Sequence, residues 1–370
     1  MSIMNIEPGF NRFFEELEKG HIQLQNRLNA FPELDRELDG KLSEEMGKFE
    51  SWRFQIMDQL GQIADLFNPE QKEQHQRYVR NTLYYQIVQE APFYWRIMNK
   101  PNGYAGDAFM MKFIYQNQYE GETPFGRFLH KHALITKACE SVRNRKVVLR
   151  QQILSTGGGK VVSLAAGPAE EIKEILNSAC GEKYQFLALD HDMEALKTFH
   201  DPSCDSHFNY ALANAFQIIS KNYMTAKPRS SMRPYCFPRK DFYGWRRFIS
   251  PFKYELDYLK NDEYNLIYSA GLYDYIKTFL LDDSKGTIAL TKNLFDLLQP
   301  GGTLIVGNFN RNNPRDLRFV MEYVYDWQLI YRSKEDMFDF ARTIPENKIK
   351  EMEILEEPLG INYFLKIVKN

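Results

Sequence analysis

The sequence has few cysteines, no apolar run long enough to cross a bilayer and almost no net charge, and each lack removes a class of function. Four cysteines in 370 residues, Cys139, Cys180, Cys204 and Cys236, lie too far apart for a C-x-x-C redox pair or a zinc site. They are also too few for the disulfide framework of a small secreted domain. Buried, reduced thiols are what this spacing implies. The seven histidines show no ligand spacing beyond His130 and His132, which a helix would turn to different faces, so the sequence proposes no metal. No segment approaches the roughly 20 apolar residues of a membrane helix. The first residues carry Glu7, Glu15 and Glu16 and lack the basic-then-apolar order of a secretory leader, which makes the cytoplasm the expected compartment. With 47 Lys and Arg against 49 Asp and Glu, the formal charge is −2. The chain as a whole is therefore committed neither to nucleic acid nor to an anionic membrane.

What is present divides into two patterns, and 370 residues are too many for one ordinary core. Residues 1–156 read as a helical domain. Phe10, Phe13, Phe14 and Leu17 share one helical face, and Leu42, Met46, Phe49, Ile56, Leu60, Ile63 and Phe67 recur at steps of four and three, with Arg53 on the seam. This predicts a helical pair over 10–67, closed within the chain or used as a homodimer contact. Prolines 69, 92, 101 and 124 break the next stretch into short pieces. A cap over 92–127 carries the turn Gly103-Tyr104-Ala105-Gly106-Asp107, and a connecting helix over 125–154 runs to the glycine run 157–159.

From residue 157 to 370 short apolar stretches alternate with helical ones: Val161 to Ala165, then a helix from Ala169 to Ala179, Tyr184 to Leu189, a helix from Met193 to Phe199, Tyr264 to Tyr268, a helix from Ile288 to Leu298, and Thr303 to Val306. The pattern predicts an α/β fold, a Rossmann-like, mostly parallel, doubly wound sheet. In such a sheet ligands sit beyond the carboxyl ends of the strands, and the small-residue turn Ala165-Ala166-Gly167-Pro168 before Glu170 lets the backbone approach one. Asp190, followed by His191 and Asp192, ends the next strand, where an acid accepts both hydroxyls of a ribose. The same geometry serves NAD. The turn lacks the second and third glycines of G-x-G-x-x-G, however, and Glu170 with Glu171 would repel a diphosphate. S-Adenosyl-L-methionine carries no phosphate and fits better. Two further markers are Ser269-Ala270-Gly271-Leu272-Tyr273-Asp274-Tyr275 and Pro300-Gly301-Gly302, the latter read as a turn between a helix and a strand.

Taken in order, these markers resemble the class I S-adenosylmethionine-dependent methyltransferases. Over about residues 92–370 the sequence further resembles the bacterial 3-hydroxypalmitic acid methyl ester biosynthesis proteins, carboxyl O-methyltransferases that make a quorum-sensing signal. The stretches that carry this are Gly103 to Asp107 with Met110, Met111 and Tyr115; Glu140-Ser141-Val142-Arg143-Asn144-Arg145; Ser163 to Pro168; Ser269 to Tyr275; and Gly307-Asn308-Phe309 onward to Tyr331-Arg332. The resemblance implies that Gly167 and its neighbours hold the methionine part of the cofactor, Asp190 the ribose, and Asn214 with Ala215 the adenine edge. An acid begins the commoner methyltransferase loop where this chain has Ala165, which leaves Glu170 as a candidate for the cofactor's amino group.

Transfer to a carboxylate needs positioning and desolvation rather than a strong base. Tyr104, Asp107, Tyr273, Tyr275 and Asn308 are the candidates for lining the reaction centre, with Tyr115 and Asp274 toward the substrate; Tyr104, Tyr273 and Tyr275 read equally as packing residues and Asp274 as a helix cap. Between 217 and 262 lies an insertion. Its stretch from Lys221 to Lys260 holds 10 basic and 3 acidic residues among 10 aromatics. It reads as a lid whose Arg246 or Arg247 holds a substrate carboxylate, as a packed loop, or, less favoured, as a nucleic-acid face. The expected activity is O-methylation of a small carboxylate or hydroxyl substrate such as a fatty acid. The alternatives are methylation of RNA or protein, and a non-catalytic regulator that binds the cofactor.

Overall fold

The computed structural model describes residues 5–31, 37–192, 195, 207–220, 259 and 263–370. The chain forms two compact units, the first made of Met1–Glu140 with Asn313–Gln328, the second of Ser141–Asn312 with Leu329–Asn370.

The first unit is helical. In α1 (Pro8–Leu28) the Glu7 carboxylate accepts the Phe10 N–H at 2.5 Å and Pro8 opens the first turn, so the start is capped from both sides. Its buried face, Phe10, Phe14, Leu17, His21, Leu24 and Leu28, packs on the stripe of α2 (Leu38–Ala64), Leu42, Met46, Phe49, Ile56 and Leu60. The pairing is thus made within the chain, and the apolar stripe that could have joined two copies is already covered. α2 stops at Ala64, short of Phe67, whose ring stacks on His75 at 4.0 Å instead. Then follow α3 (Pro69–Arg80), α4 (Leu83–Ile87), α5 (Pro92–Asn99), α6 (Ala108–Gln116) and α7 (Pro124–Ile135). The long helix expected over 125–154 is broken, because Thr136 turns extended at ψ 154° and α8 (Lys137–Ser155) starts anew. Segment 313–328 completes this unit with α12 (Arg315–Phe319) and a π-turn over Val320–Val324. Phe319 and Tyr323 lie against Phe10, and Lys72 pairs with Glu322.

The second unit is built on a seven-stranded sheet in the order β3-β2-β1-β4-β5-β7-β6. The strands are β1 (Gly159–Leu164), β2 (Tyr184–Asp190), β3 (Phe208–Leu212), β4 (Tyr264–Ser269), β5 (Leu298–Phe309), β6 (Ile349–Glu356) and β7 (Asn362–Lys369). The first five are parallel, and β7 runs antiparallel to both β5 and β6. The central strands are buried over most of their length because both faces are covered. Val162, Ile267 and Leu304 face Leu290, Leu294 and Leu297 of α11 (Gly286–Leu297). Val161, Leu266 and Ile305 join Leu149 and Ile153 of α8 and Ile172 and Ile175 of α9 (Glu170–Leu176). That second cluster explains why the units divide at Glu140/Ser141 rather than at the glycine run 157–159: most of α8 belongs to the sheet's core.

Pro300-Gly301-Gly302 is not a turn before a strand but part of β5, at a register shift opposite Tyr264 and Leu266. A Cβ on Gly302 would sit 2.7 Å from the Tyr264 carbonyl oxygen, so only glycine fits this bulge. The hairpin of β6 and β7 was not expected from sequence. The helix expected at Met193 to Phe199, apart from Ala195, and nearly all of the insertion 217–262 including Arg246 and Arg247, lie outside the described residues. The described start of that insertion belongs to α10 (Ala215–Ile219), which Asn214 caps. No described helix is long and apolar enough to cross a membrane.

Candidate functional site

The strand order reverses between β1 and β4, and the crevice beyond their carboxyl ends is where a doubly wound sheet takes its ligand. Three residues of the turn after β1 adopt left-handed backbone, Ala165 (φ 55°), Gly167 (φ 56°) and Ala169 (φ 41°). For the two alanines this costs about 1–2 kcal/mol each, a concentration of strain typical of functional turns. A network of hydrogen bonds holds it. The Ala166 N–H donates to the Leu189 carbonyl at 3.1 Å, and the Gly167 N–H to Oδ2 of Asp190 at 2.8 Å. Oδ1 of Asp190 accepts the Asp192 N–H at 2.9 Å, and His191 lies 3.4 Å away with its pKa raised by the Asp190 carboxylate. Asp190 thus ties the ends of β1 and β2 together. A Cβ on Gly167 would meet nothing within 4 Å, so this turn borders open space.

On the other side of the crevice, the Ser269 hydroxyl donates to the Leu164 carbonyl at 2.9 Å, which locks the end of β4 to the end of β1. The Ala270 carbonyl accepts from Nη1 of Arg145 at 3.1 Å. Glu170 is half-buried and paired with Lys173, while Glu171 is buried, accepts the Tyr268 hydroxyl at 2.6 Å and has its pKa raised by burial. At the β3 end, the Asp190 carbonyl accepts the Ala213 N–H at 2.7 Å, and Oδ1 of Asn214 accepts the Phe216 N–H at 2.9 Å. Ala165 to Glu170, Asp190 to Asp192, and Ser269 to Gly271 therefore cluster at the crevice, with Asn214 and Ala215 following the next strand.

Several residues expected to line the reaction centre are placed otherwise. Tyr273 is fully buried, bonded through its hydroxyl to Thr291 and packed on Phe340. Asn308 is also fully buried. Its amide donates to the carbonyls of Phe309 and Ile330, and its oxygen accepts from Arg332. Asp274 is buried and accepts the Phe309 N–H at 2.7 Å; burial pushes its pKa up to about 6 against the pull of Arg145 and Arg332. These three form a structural network centred on Arg332, which also donates to the carbonyls of Tyr273 and Ile276. In the first unit Asp107 is sealed as the N-cap of α6. Its carboxylate accepts the Met110 N–H at 2.9 Å and both Nε and Nη2 of Arg96 at 2.7 and 2.6 Å. Fully buried and bonded in this way, Asp107 acts here as a helix cap rather than as a group lining open space. Tyr275 stays exposed, and Tyr104 and Tyr115 are half-buried in the first unit.

His130 and His132 are both buried. His130 accepts the Phe93 N–H at 3.2 Å and His132 pairs with Glu50. Among the described residues no group of three His, Cys, Asp or Glu side chains could hold a metal ion. Sequence reasoning gave no role to Arg145, Tyr268 or Arg332. Arg145 and Arg332 each lie in a stretch that carries the family resemblance, Glu140 to Arg145 and Gly307 to Arg332, and those groupings were the available signals.

No protein-family profile matches the sequence, and comparison with curated proteins gives no match. Solved structures do match. A protein of Bordetella parapertussis is 13% identical, covering 86% of this chain and 96% of its own, with a TM-score of 0.48. The N-methyltransferase NodS of Bradyrhizobium japonicum WM9 is 12% identical over 61% of this chain and 95% of its own, TM-score 0.36. The S-adenosylmethionine-dependent methyltransferase SibL is 13% identical over 80% and 73%, TM-score 0.39.

Proposed function

We propose that the second unit binds S-adenosyl-L-methionine in the β1/β4 crevice and passes its methyl group to an oxygen of a small carboxylate or hydroxyl compound. The observation that carries this reading is the Asp190 carboxylate at the end of β2, bonded to Gly167 in a strained turn that borders open space. A carboxylate has about four acceptor sites, so Asp190 can hold the turn and still accept ribose hydroxyls. Against a dinucleotide stand the missing glycines of the turn and its two acids. The antiparallel β7, placed after β5 where the dinucleotide fold continues with a parallel sixth strand, points the same way. Bound there, the cofactor supplies an electrophilic methyl group. The chain's part is to hold it through Asp190 and the Gly167 turn, to flank the adenine with Asn214 and Ala215, and to exclude water. No buried base is required for a carboxylate acceptor, which is ionised at neutral pH. The O-methyl acceptor, a fatty acid among the candidates, rests on the sequence resemblance.

Calorimetry with S-adenosylmethionine and S-adenosylhomocysteine tests the cofactor. Wild type binds, and Asp190→Ala weakens both by about tenfold or more, the worth of a lost charge-assisted bond. Binding of neither ligand by the wild type ends the reading. Labelled methyl transfer into lipid extract, RNA and protein then separates the acceptor classes, with label in the lipid fraction expected.

A further inference from the structure

We propose that the loop between β4 and α11 is a lipid-docking tip, which seats the second unit on a bilayer surface through Phe279, Leu280 and Leu281. These three consecutive apolar residues are 42%, 77% and 102% exposed, so Leu281 is as open to water as in a free peptide. The loop is nevertheless held. At its base Ile276 is buried, the Thr287 N–H donates to the Lys277 carbonyl at 3.2 Å, and the Thr278 and Thr287 hydroxyls bond at 2.8 Å. Gly286, in left-handed backbone at φ 62°, lets the chain return so closely that a Cβ there would lie 2.0 Å from the Lys277 oxygen. Nearer the tip, Nη2 of Arg342 donates to the carbonyls of Phe279 and Leu280 at 3.4 and 3.2 Å and pairs with Asp283.

These features select a lipid surface over another protein. The three side chains cover only a fraction of the roughly 800 Å² that each partner of a stable complex buries. They project from a convex tip, which a bilayer accepts without a matching pocket. The carbonyls of Phe279 and Leu280 keep their bonds to Arg342 in an apolar medium, so entry leaves them partnered. Beside the tip Asp282 pairs with Lys285 at 2.7 Å and Asp283 with Arg342, which neutralises the two acids and removes their repulsion for lipid headgroups. Docking is thus apolar rather than electrostatic, in keeping with a formal charge of only −2. The loop runs from the end of β4 to the start of α11, so it lies at the carboxyl end of the sheet, the end that holds the crevice. A unit seated this way draws an acyl acceptor from the lipid itself. That use rests on the methyl-transfer reading above, whereas the docking stands on the tip.

The test floats the full chain with vesicles of phosphatidylcholine alone and of phosphatidylcholine mixed with phosphatidylglycerol. The wild type is expected to bind both alike. Changing Leu280→Asn and Leu281→Asn together is expected to lower partitioning by about tenfold or more and to leave the thermal midpoint unchanged, since both side chains are exposed. Leu281→Trp serves if the double variant does not fold: its added emission shifts to the blue with vesicles and is quenched by brominated acyl chains. Absence of wild-type flotation, flotation that needs the anionic lipid or survives in the double variant, or an unshifted Leu281→Trp emission would overturn the proposal. So would a wild-type dimer that the double variant abolishes, which would make the tip a contact between copies. Vesicle binding by a chain that binds no S-adenosylmethionine upholds the docking and refutes the methyl-transfer reading alone, and the converse result refutes the docking alone.

Discussion

Replacing Asp274 by Asn should make the protein more stable at neutral pH and change little at pH 4. Asp274 is 2% exposed, and burial raises its pKa from 3.8 to about 6 despite the Phe309 N–H and the guanidiniums of Arg145 and Arg332. A pKa raised on folding means that the folded state favours the protonated acid. The group's contribution is fully present below pH 3.8 and is lost as pH rises through about 6. Between these values the ionised form is disfavoured by about 3 kcal/mol, at 1.36 kcal/mol per tenfold. Asn keeps the oxygen that accepts from Phe309 and never ionises. The difference in unfolding free energy, variant minus wild type, should therefore be near zero at pH 4 and climb through pH 5 to 6. Above pH 7 it should level at up to about 3 kcal/mol in favour of Asn. Urea denaturation at half-unit steps from pH 4 to 8 measures it, with the difference curve removing the titrations common to both proteins. A flat difference, or an Asn variant less stable at pH 8 than at pH 4 relative to wild type, would show that Arg145 and Arg332 depend on the ionised carboxylate and would refute the argument.

Two further substitutions probe strain and buried charge. Arg53 is 4% exposed in the first unit, with the buried hydroxyls of Tyr84, Tyr94 and Tyr325 as its electrostatic neighbours; Arg53→Met is expected to leave the thermal midpoint unchanged or raise it, as buried ions replaced by apolar groups of similar volume often do, and a loss above about 3 kcal/mol would show that the tyrosine cluster depends on the guanidinium. Ala165→Gly should stabilise by about 0.5–1 kcal/mol, because relief of left-handed strain exceeds the added entropy of glycine in the unfolded chain; a lower midpoint in calorimetric scans would argue that the methyl group packs.

The doubly wound sheet was legible because its central strands are covered on both faces. Val161 and Val162, or Leu266 and Ile267, go to opposite cores, so the strand reads as a continuous apolar run with a small-residue turn at its end. The place of Asp190 at the end of β2 was legible for the same reason. The β6 strand was not, because most of its side chains are exposed or half-buried and its partner β7 is what makes it a strand. Tyr273, Asp274 and Asn308 carry residue types that suit a reaction centre, yet they are drawn into the core by Arg332, which stands 59 residues after Tyr273. No local spacing announces a guanidinium that bonds two distant chain segments at once. Asp107 is similar: its turn suits an active loop, while its carboxylate caps α6 and pairs with Arg96, one helix earlier.

The excursion of segment 313–328 into the first unit has a consequence for synthesis. Most of that unit is made before the sheet, but its core waits for Phe319 and Tyr323 to meet Phe10 and for Tyr325 to meet Tyr94. From residue 140 to residue 328, 188 positions by subtraction, a ribosome moving at about 5–20 residues per second needs roughly 10–40 seconds. For that interval the nascent helices must keep apolar faces uncovered while the sheet strands β1 to β5 emerge behind them. The order of manufacture and the order of completion are thus opposed, and the helical half of the chain depends on whatever shields it until its last short segment leaves the tunnel.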